Sequence, residues 1–259
     1  MQRPVSFDRV ASEYDATRAL PPSLQAFAVE MIRAEVGSLA LLDVGVGTGR
    51  LGVPLQEAGV RLTGCDISTP MLQVARSKGM RRLCRADVRR LPFRPGTFQR
   101  AMSNHLLHLI REWPWVLSEI ARVTDGRYLS VLEVETEIPS LQEEYHRIAA
   151  GRGVLRAHRG VHERDLVTRL VPDRTVSSEV LRSERPADEE LALLDRRLFS
   201  SQWDVPEPVH HDAVDALRER YGGSTLRSEL RVDVVAWEVP RIAAWARVRA
   251  DEMATAPAP

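Results

Sequence analysis

The chain changes its hydrophobic period along its length. Behind Pro21-Pro22, Leu24, Phe27, Ala28, Met31 and Ile32 recur at helical spacing, which predicts an amphipathic helix. From about residue 39 to 135, short apolar runs alternate with helix-like segments. The runs Ala40 to Val44, Arg61 to Cys65, Arg82 to Arg85, Phe98 to Ser103 and Arg127 to Glu133 read as strands. Leu51 to Ala58 reads as a helix stopped by Gly59. Ser68 to Arg76 reads as another, with a Ser/Thr start, proline in the first turn and Gly79 as terminator. Alternation of this kind predicts a parallel sheet with crossover helices.

Past about Val134 the pattern turns mostly helical. Glu143 to Ala150, Glu163 to Leu170, Asp188 to Phe199 and His211 to Tyr221 have helical character, and Thr175 to Leu181 and Leu226 to Trp237 interrupt them as strand-like runs. In the second run Leu226, Leu230, Val232, Val234 and Ala236 fall on one face by alternation. We read both runs as late strands of the same sheet, with the helices inserted around them as a lid. The expected organisation is an N-terminal helical and sheet core over residues 1–137, late strands with a helical lid over 138–251, and a frayed tail over 252–259.

The candidate chemistry sits where the first strand ends. Leu41-Leu42-Asp43-Val44 runs into Gly45-Val46-Gly47-Thr48-Gly49-Arg50, and a helix follows. Glycine takes positive φ and lets backbone approach a ligand, while a helix start presents free N–H groups. A nucleotide-like ligand is the implication. Asp66 closes the second strand, where a carboxylate can accept from both hydroxyls of a ribose. The loop spacing is GxGxG, not the GxGxxG that cradles a dinucleotide pyrophosphate, and a second acid, Asp87, closes the third strand before Leu91-Pro92-Phe93.

Composition narrows the classes further. At 44% hydrophobic and 28% charged, the 259 residues suit a globular protein with ample core. Formal net charge is zero, which gives no motive for a nucleic-acid or membrane partner. Positive charge is almost all arginine, Lys78 being the single lysine. Cys65 and Cys84 lie in strand-like runs without metal spacing and read as free thiols in a reducing compartment. Met1-Gln2-Arg3-Pro4 lacks the apolar run of a signal peptide, and no segment is long enough to cross a bilayer, so a cytoplasmic location is expected.

With these residues in place, the chain resembles the class I S-adenosylmethionine-dependent methyltransferases, in particular the methyltransferase type 11 group that includes quinone C-methyltransferases. The matching stretches are Asp43 to Gly49; Gly64 to Ser68 with Met71-Leu72; Ala86-Asp87-Val88 with Leu91-Pro92-Phe93; Gly96-Thr97-Phe98; His105 to His108; and Glu119 to Val123. Phe7 to Arg18 is similar to the group's N-terminal signature. The resemblance implies a Rossmann-like α/β fold: a seven-stranded, mostly parallel sheet, helices on both faces, and a helical lid among the late strands. It implies S-adenosylmethionine as cofactor, with Asp43 among the residues that bind it, Gly45, Gly47 and Gly49 lining its methionine part and Asp66 on the ribose. Asp87 and the Val88 N–H would read the adenine, against which Ile67 and Met71 would pack. Tyr14 and Arg18 would close the site, and Asn104 would face the amine and the transferred methyl. Gln99 and Thr124-Asp125-Gly126-Arg127 depart from the group's usual residues, and the motif of adenine amino-methyltransferases is absent at Ser103 to Leu106.

Methyl transfer from a sulfonium needs alignment, exclusion of water and, for oxygen or nitrogen acceptors, removal of a proton. His105 and His108 are the candidate general bases, with pocket lining and structural packing as their competing roles. His158, His162, His210 and His211 fall in the lid region, and for the adjacent His210-His211 a solvated helix start is expected and not a metal site. Tyr145, Phe199 and Trp203 fit either an aromatic acceptor wall or a core. The basic run from Arg76 to Arg94 fits a solvated face better than RNA. The expected activity is methyl transfer to a small-molecule acceptor, with neither nucleic acid nor membrane as partner. The alternative is a regulatory or otherwise reacting protein that binds the same cofactor, because the motifs report binding and not turnover.

Overall fold

The computed structural model describes residues 7, 8, 15, 18–155 and 160–255. Two of the candidates, Tyr14 and His158, lie outside the described residues. In chain order the elements are α1 (Pro22–Val36), β1 (Ala40–Val44), α2 (Gly52–Glu57), β2 (Arg61–Asp66), α3 (Thr69–Ser77), β3 (Leu83–Arg85) and β4 (Phe98–Ser103). There follow α4 (Trp113–Val123), β5 (Thr124–Ile138), α5 (Leu141–Gly151), α6 (Glu163–Arg169), β6 (Arg174–Ser177) and β7 (Leu181–Pro186). The chain continues with α7 (Ala187–Asp195), α8 (Glu207–Tyr221), β8 (Thr225–Glu238) and α9 (Val239–Thr255). It divides into two compact units: Met1–Leu132, Arg159–Ser178 and Val232–Pro259 form the first, and Glu133–His158 with Glu179–Arg231 the second.

The strands lie in the order β3-β2-β1-β4-β5-β8-β6, with β7 pairing β8 off this path. The pairs β1–β2, β2–β3, β1–β4 and β4–β5 are parallel, and β6 runs antiparallel to β8. This is the Rossmann-like sheet that the resemblance implied, with eight strands where seven were expected. Strand order reverses between β1 and β4, because the chain builds outward through β2 and β3 and then returns to the other side of β1. Ligands bind at such a reversal, in the crevice beyond the carboxyl ends of the strands.

Local sequence explains the elements around that crevice. Leu24, Ala28, Ile32 and Val36 form the buried stripe of α1. Ser68 caps α3, its Oγ accepting from the Met71 N–H at 3.2 Å, and Gly79 ends the helix at φ +97°. The first core gathers Leu42, Val44, Ala101, Leu117, Ile120 and Trp237. Its polar ring atoms are satisfied: the Trp237 Nε1–H donates to the Leu170 carbonyl at 2.7 Å, and Tyr128 Oη lies 2.6 Å from Ser103 Oγ. Residues 232–237 of β8 are buried throughout, so alternation holds there only as far as the strand is covered on one face.

The second unit has its own core of Leu141, Tyr145, Leu191, Leu194, Phe199, Val214 and Leu217. Here β7 pairs antiparallel with the first half of β8, from Leu181 opposite Leu230 to Pro186 opposite Thr225. His210 is no solvated helix start. It is 1% exposed, its Nε2–H donates to the Asp195 carbonyl at 3.1 Å, and its Nδ1 accepts from the Tyr145 hydroxyl at 2.9 Å. Tyr145 and Phe199 are core residues, and the Trp203 Nε1–H is held by the Arg197 carbonyl at 2.9 Å. Among the described residues no group of three or more His, Cys, Asp or Glu could hold a metal ion, and no helix is long and apolar enough to cross a membrane.

Candidate active site

The carboxyl ends of β1, β2, β3 and β4 bring the sequence-derived candidates together. The glycine loop leaves β1 with Gly45, Gly47 and Gly49 at φ +78°, +55° and +76°. The Gly45 and Val46 N–H groups donate to the Cys65 carbonyl at 2.8 and 2.9 Å, which pins the loop to the end of β2. A Cβ on Gly47 would meet only the Gly45 carbonyl, at 4.0 Å, so this position opens onto free space and is glycine for its φ. A Cβ on Gly45 would lie 2.9 Å from Leu106 Cδ1, which places the loop after β4 directly beside it.

Asp66 organises the loop. Its Oδ2 accepts from the Gly47 N–H at 2.9 Å and its Oδ1 from the Ser68 N–H at 2.8 Å. Burial raises its pKa, and the backbone donors Ser68, Gly47 and Ile67 pull it partly back. Each carboxylate oxygen retains a lone pair for a further donor. Asp43 is 4% exposed and makes no hydrogen bond among the described residues. Burial, with the neighbouring Asp66 charge, pushes its pKa up to about 7. The strand register sets Asp43 opposite Met102, two residues before Asn104. Asn104 Oδ1 is buried without a partner among the described residues. Buried acceptors left without donors are uncommon, and Asn104 Oδ1 is one of them at this strand reversal.

The other candidates divide. Met71 is 3% exposed and Val88 7%, while Ile67 is half-buried with its carbonyl accepting from Arg85 Nε at 3.2 Å. Asp87 is at the end of β3 as expected, but Arg89 holds it: the Arg89 N–H donates to Oδ1 at 2.9 Å and Nη2 to Oδ2 at 2.7 Å. That hydrogen-bonded guanidinium keeps the Asp87 carboxyl below the usual range. Arg18 is half-buried, and its carbonyl accepts from Arg50 Nη1. Thr48 Oγ1 donates to Asp15 Oδ1 at 2.6 Å, and Lys78 Nζ bonds the Thr48 carbonyl at 3.1 Å and pairs with Asp15. The single lysine thus joins the glycine loop to Asp15. Glu119 and Arg122 of α4 grip the Leu91-Pro92-Phe93 turn, Glu119 accepting from the Leu91 N–H at 2.9 Å and Arg122 donating to the Leu91 and Phe93 carbonyls at 2.9 and 2.8 Å.

His105 and His108 both follow β4. His105 has φ +52°, a left-handed conformation that is strained for a residue with a Cβ. His108 stacks flat on His162, ring centroids 5.0 Å apart and planes 5° from parallel, and its Nδ1 lies 4.0 Å from Glu163 Oε2. His162, which starts α6, therefore packs beside this site. Sequence reasoning missed Arg89, His162 and Glu163. For Arg89 a signal existed, since an Asp side chain accepting from the N–H two residues on is a common local turn. For Glu163 the partners are 57 residues away at Leu106, and no local pattern reports that.

The residues fit a ligand that brings hydrogen-bond donors and positive charge. Asp43, Asp66 and Asn104 Oδ1 offer acceptors, and Gly47 leaves open space beside them. Residues 42–127 match the family model described as methyltransferase domain. The biotin biosynthesis bifunctional protein BioHC of Saccharophagus degradans is 32% identical over 124 residues, which cover 46% of this chain and 22% of that protein. The demethylmenaquinone methyltransferase of Streptomyces avermitilis is 31% identical over 126 residues, 46% of this chain and 53% of that protein. The chain thus spans about half of the second of these curated relatives and far less of the first. A solved structure of a proposed methyltransferase from Bacillus halodurans C-125 aligns with a TM-score of 0.54 at 17% identity, covering 84% of this chain and 99% of that one. That likeness shows the fold.

Proposed function

We propose, for a chain whose residues 42–127 belong to the methyltransferase-domain family, that it transfers a methyl group from S-adenosylmethionine to a small-molecule acceptor. The observation that carries this reading is the buried Asn104 Oδ1, left without a partner among the described residues at the strand reversal where the buried Asp43 also lies. A ligand bearing an ammonium supplies the donor that Asn104 lacks, and its positive charge suits the Asp43 carboxylate. In this reading Asp66 accepts from the ribose hydroxyls while still holding the Gly47 and Ser68 N–H groups, and Gly45, Gly47 and Gly49 give the methionine part room. Val88 and Met71, with Ile67, flank the adenine. Asp87, whose two oxygens Arg89 already engages, stands at the adenine end of the site, where the Val88 N–H faces the ring. Arg18 closes over the cofactor. When bound, the cofactor supplies an electrophilic methyl; the chain aligns the acceptor, keeps water away and takes up the proton that an N–H or O–H acceptor releases.

A small acceptor is supported over nucleic acid by what the basic residues do. Arg89 is bound to Asp87, Arg85 to the Ile67 carbonyl, and Lys78 to Asp15 and Thr48. They hold this molecule's own loops, and net charge is zero. Calorimetric titration with S-adenosylmethionine tests the reading: saturable binding supports it, and no detectable heat at millimolar cofactor overturns it. Incubation with candidate acceptors, followed by mass spectrometry for S-adenosylhomocysteine, separates a transferase from a protein that only binds the cofactor.

A further inference from the structure

The loop that follows β4 carries the most demanding backbone of the site. Asn104 keeps its buried Oδ1 there, and His105 stands at φ +52°, a left-handed conformation that a residue with a Cβ adopts at a cost. Such a conformation persists only where surrounding contacts over-determine it. Those contacts come from residues 160–163, Glu163 lying 57 positions beyond Leu106 in the chain. The Gly160 N–H donates to the His108 carbonyl at 3.1 Å and the Val161 N–H to the Leu107 carbonyl at 3.3 Å. Glu163 is 7% exposed, and its Oε1 accepts from the Leu106 N–H at 3.1 Å. Its other oxygen lies 4.0 Å from His108 Nδ1, a looser contact.

Gly160 has no left-handed φ to explain it. A Cβ there would sit 1.9 Å from the Leu107 carbonyl oxygen, so glycine is needed for the close approach itself. On its other side the loop meets the glycine turn, since a Cβ on Gly45 would lie 2.9 Å from Leu106 Cδ1. We propose that Glu163 is a positioning residue for methyl transfer: with Gly160 docked on the same loop, it holds Leu106 beside Gly45 and keeps Asn104 Oδ1 at the strand reversal. On the methyl-transfer reading, on which this assignment rests, Asn104 faces the amine of S-adenosylmethionine and Gly45 its methionine part. Glu163 acts on both through the Leu106 N–H. Without that acceptor the balance tips toward a loop in which His105 relaxes to negative φ and turns Asn104 and Leu106 with it. Only the molecules that keep the held loop then bind well, so apparent affinity falls with their fraction.

Amide hydrogen exchange and calorimetry on the 259-residue protein test this, at a temperature where circular dichroism shows each variant folded. Glu163→Ala is expected to speed exchange across residues 104–110 by about tenfold to a hundredfold, as for one lost hydrogen bond to a charged group. It should bind S-adenosylmethionine about threefold to tenfold more weakly. Glu163→Gln keeps an oxygen for the Leu106 N–H and should recover most of both effects. Gly160→Ala forces the two backbones apart and should reproduce both with Glu163 intact. Wild-type exchange and affinity in folded Glu163→Ala overturn the proposal. Faster exchange with unchanged affinity also overturns it, because Glu163 would then serve structure alone. Glu163→Gln no better than Glu163→Ala overturns it by assigning the effect to charge. If Glu163→Ala does not fold, wild-type affinity in folded Gly160→Ala has the same force. Absence of S-adenosylmethionine binding in the wild type instead defeats the methyl-transfer reading, while exchange still reports whether Glu163 holds the loop.

Discussion

At the scale of single residues, the site is defined by acids kept in unfavourable surroundings. Burial, with the Asp66 charge beside it, pushes the Asp43 carboxyl up to about 7, from an ordinary aspartate value near 4. Between those values the folded state holds a proton that the unfolded chain releases, so stability falls as pH rises from about 4 to 7 and is flat above. Asp43→Asn removes the buried charge. The variant is expected to be more stable than wild type by roughly 2–4 kcal/mol at pH 8, with the difference closing toward pH 4. Urea unfolding at pH 5 and pH 8 checks this, and a gap equal at both pH values contradicts it. The same variant should bind S-adenosylmethionine more weakly, since stability lost to an unpaired acid is recovered on meeting a cation. Asp66→Ala is expected to weaken cofactor binding by about tenfold to a hundredfold, by loss of two charge-assisted hydrogen bonds. Unchanged affinity by calorimetry would show that the ribose is held elsewhere. Asp43, Asp66 and Asp87 were legible in the sequence because each ends an apolar run. Their states were not, because Arg89 on Asp87 and the burial of Asp43 are properties of the folded site.

Elements were legible where punctuation is strong. The expected bounds of β1 and β4 match those observed, since each is an apolar run ending at the loop that serves the site. Helix α3 was legible from its cap, proline and terminal glycine. Its cap gives a direct test: Ser68→Ala removes the acceptor for the Met71 N–H and is expected to lower stability by about 1 kcal/mol. For a chain of this size that corresponds to a fall in Tm of about 2–4 °C by circular dichroism. No change would mean that water satisfies the Met71 N–H equally well. The single run read from Thr175 to Leu181 is two strands, β6 and β7. The ladder with β8 ends where the Ser178 N–H bonds the Val232 carbonyl and Ser178 Oγ accepts from the Val232 N–H. Ser178-Glu179-Val180 contains no glycine or proline to announce that break. The side-chain hydroxyl does the work of a turn residue, and periodicity does not register it.

For the whole molecule, the consequential fact is that the two units have separate hydrophobic cores. The first core packs around the sheet that carries the cofactor candidates. The second is closed by α5, α7 and α8 and holds a buried Tyr145–His210 hydrogen bond. The sequence showed the change of pattern near Val134 but not this division, because β5 and β8 each supply residues to both units within one continuous strand. Separate cores predict separable failure. Leu194 is 1% exposed in the second core, and Leu194→Ala should destabilise that unit by about 2–5 kcal/mol through lost burial and the cavity left behind. Hydrogen exchange followed by mass spectrometry is expected to quicken across α5, α7 and α8 while α1 and α4 keep their protection. Calorimetric affinity for S-adenosylmethionine should stay near wild type, since every cofactor residue assigned here belongs to the first unit. Equal loss of protection in both units would mean that they unfold as one cooperative body. If cofactor affinity then fell in step, the first core would depend on the second for its stability, and the binding site could not be treated as the property of one unit.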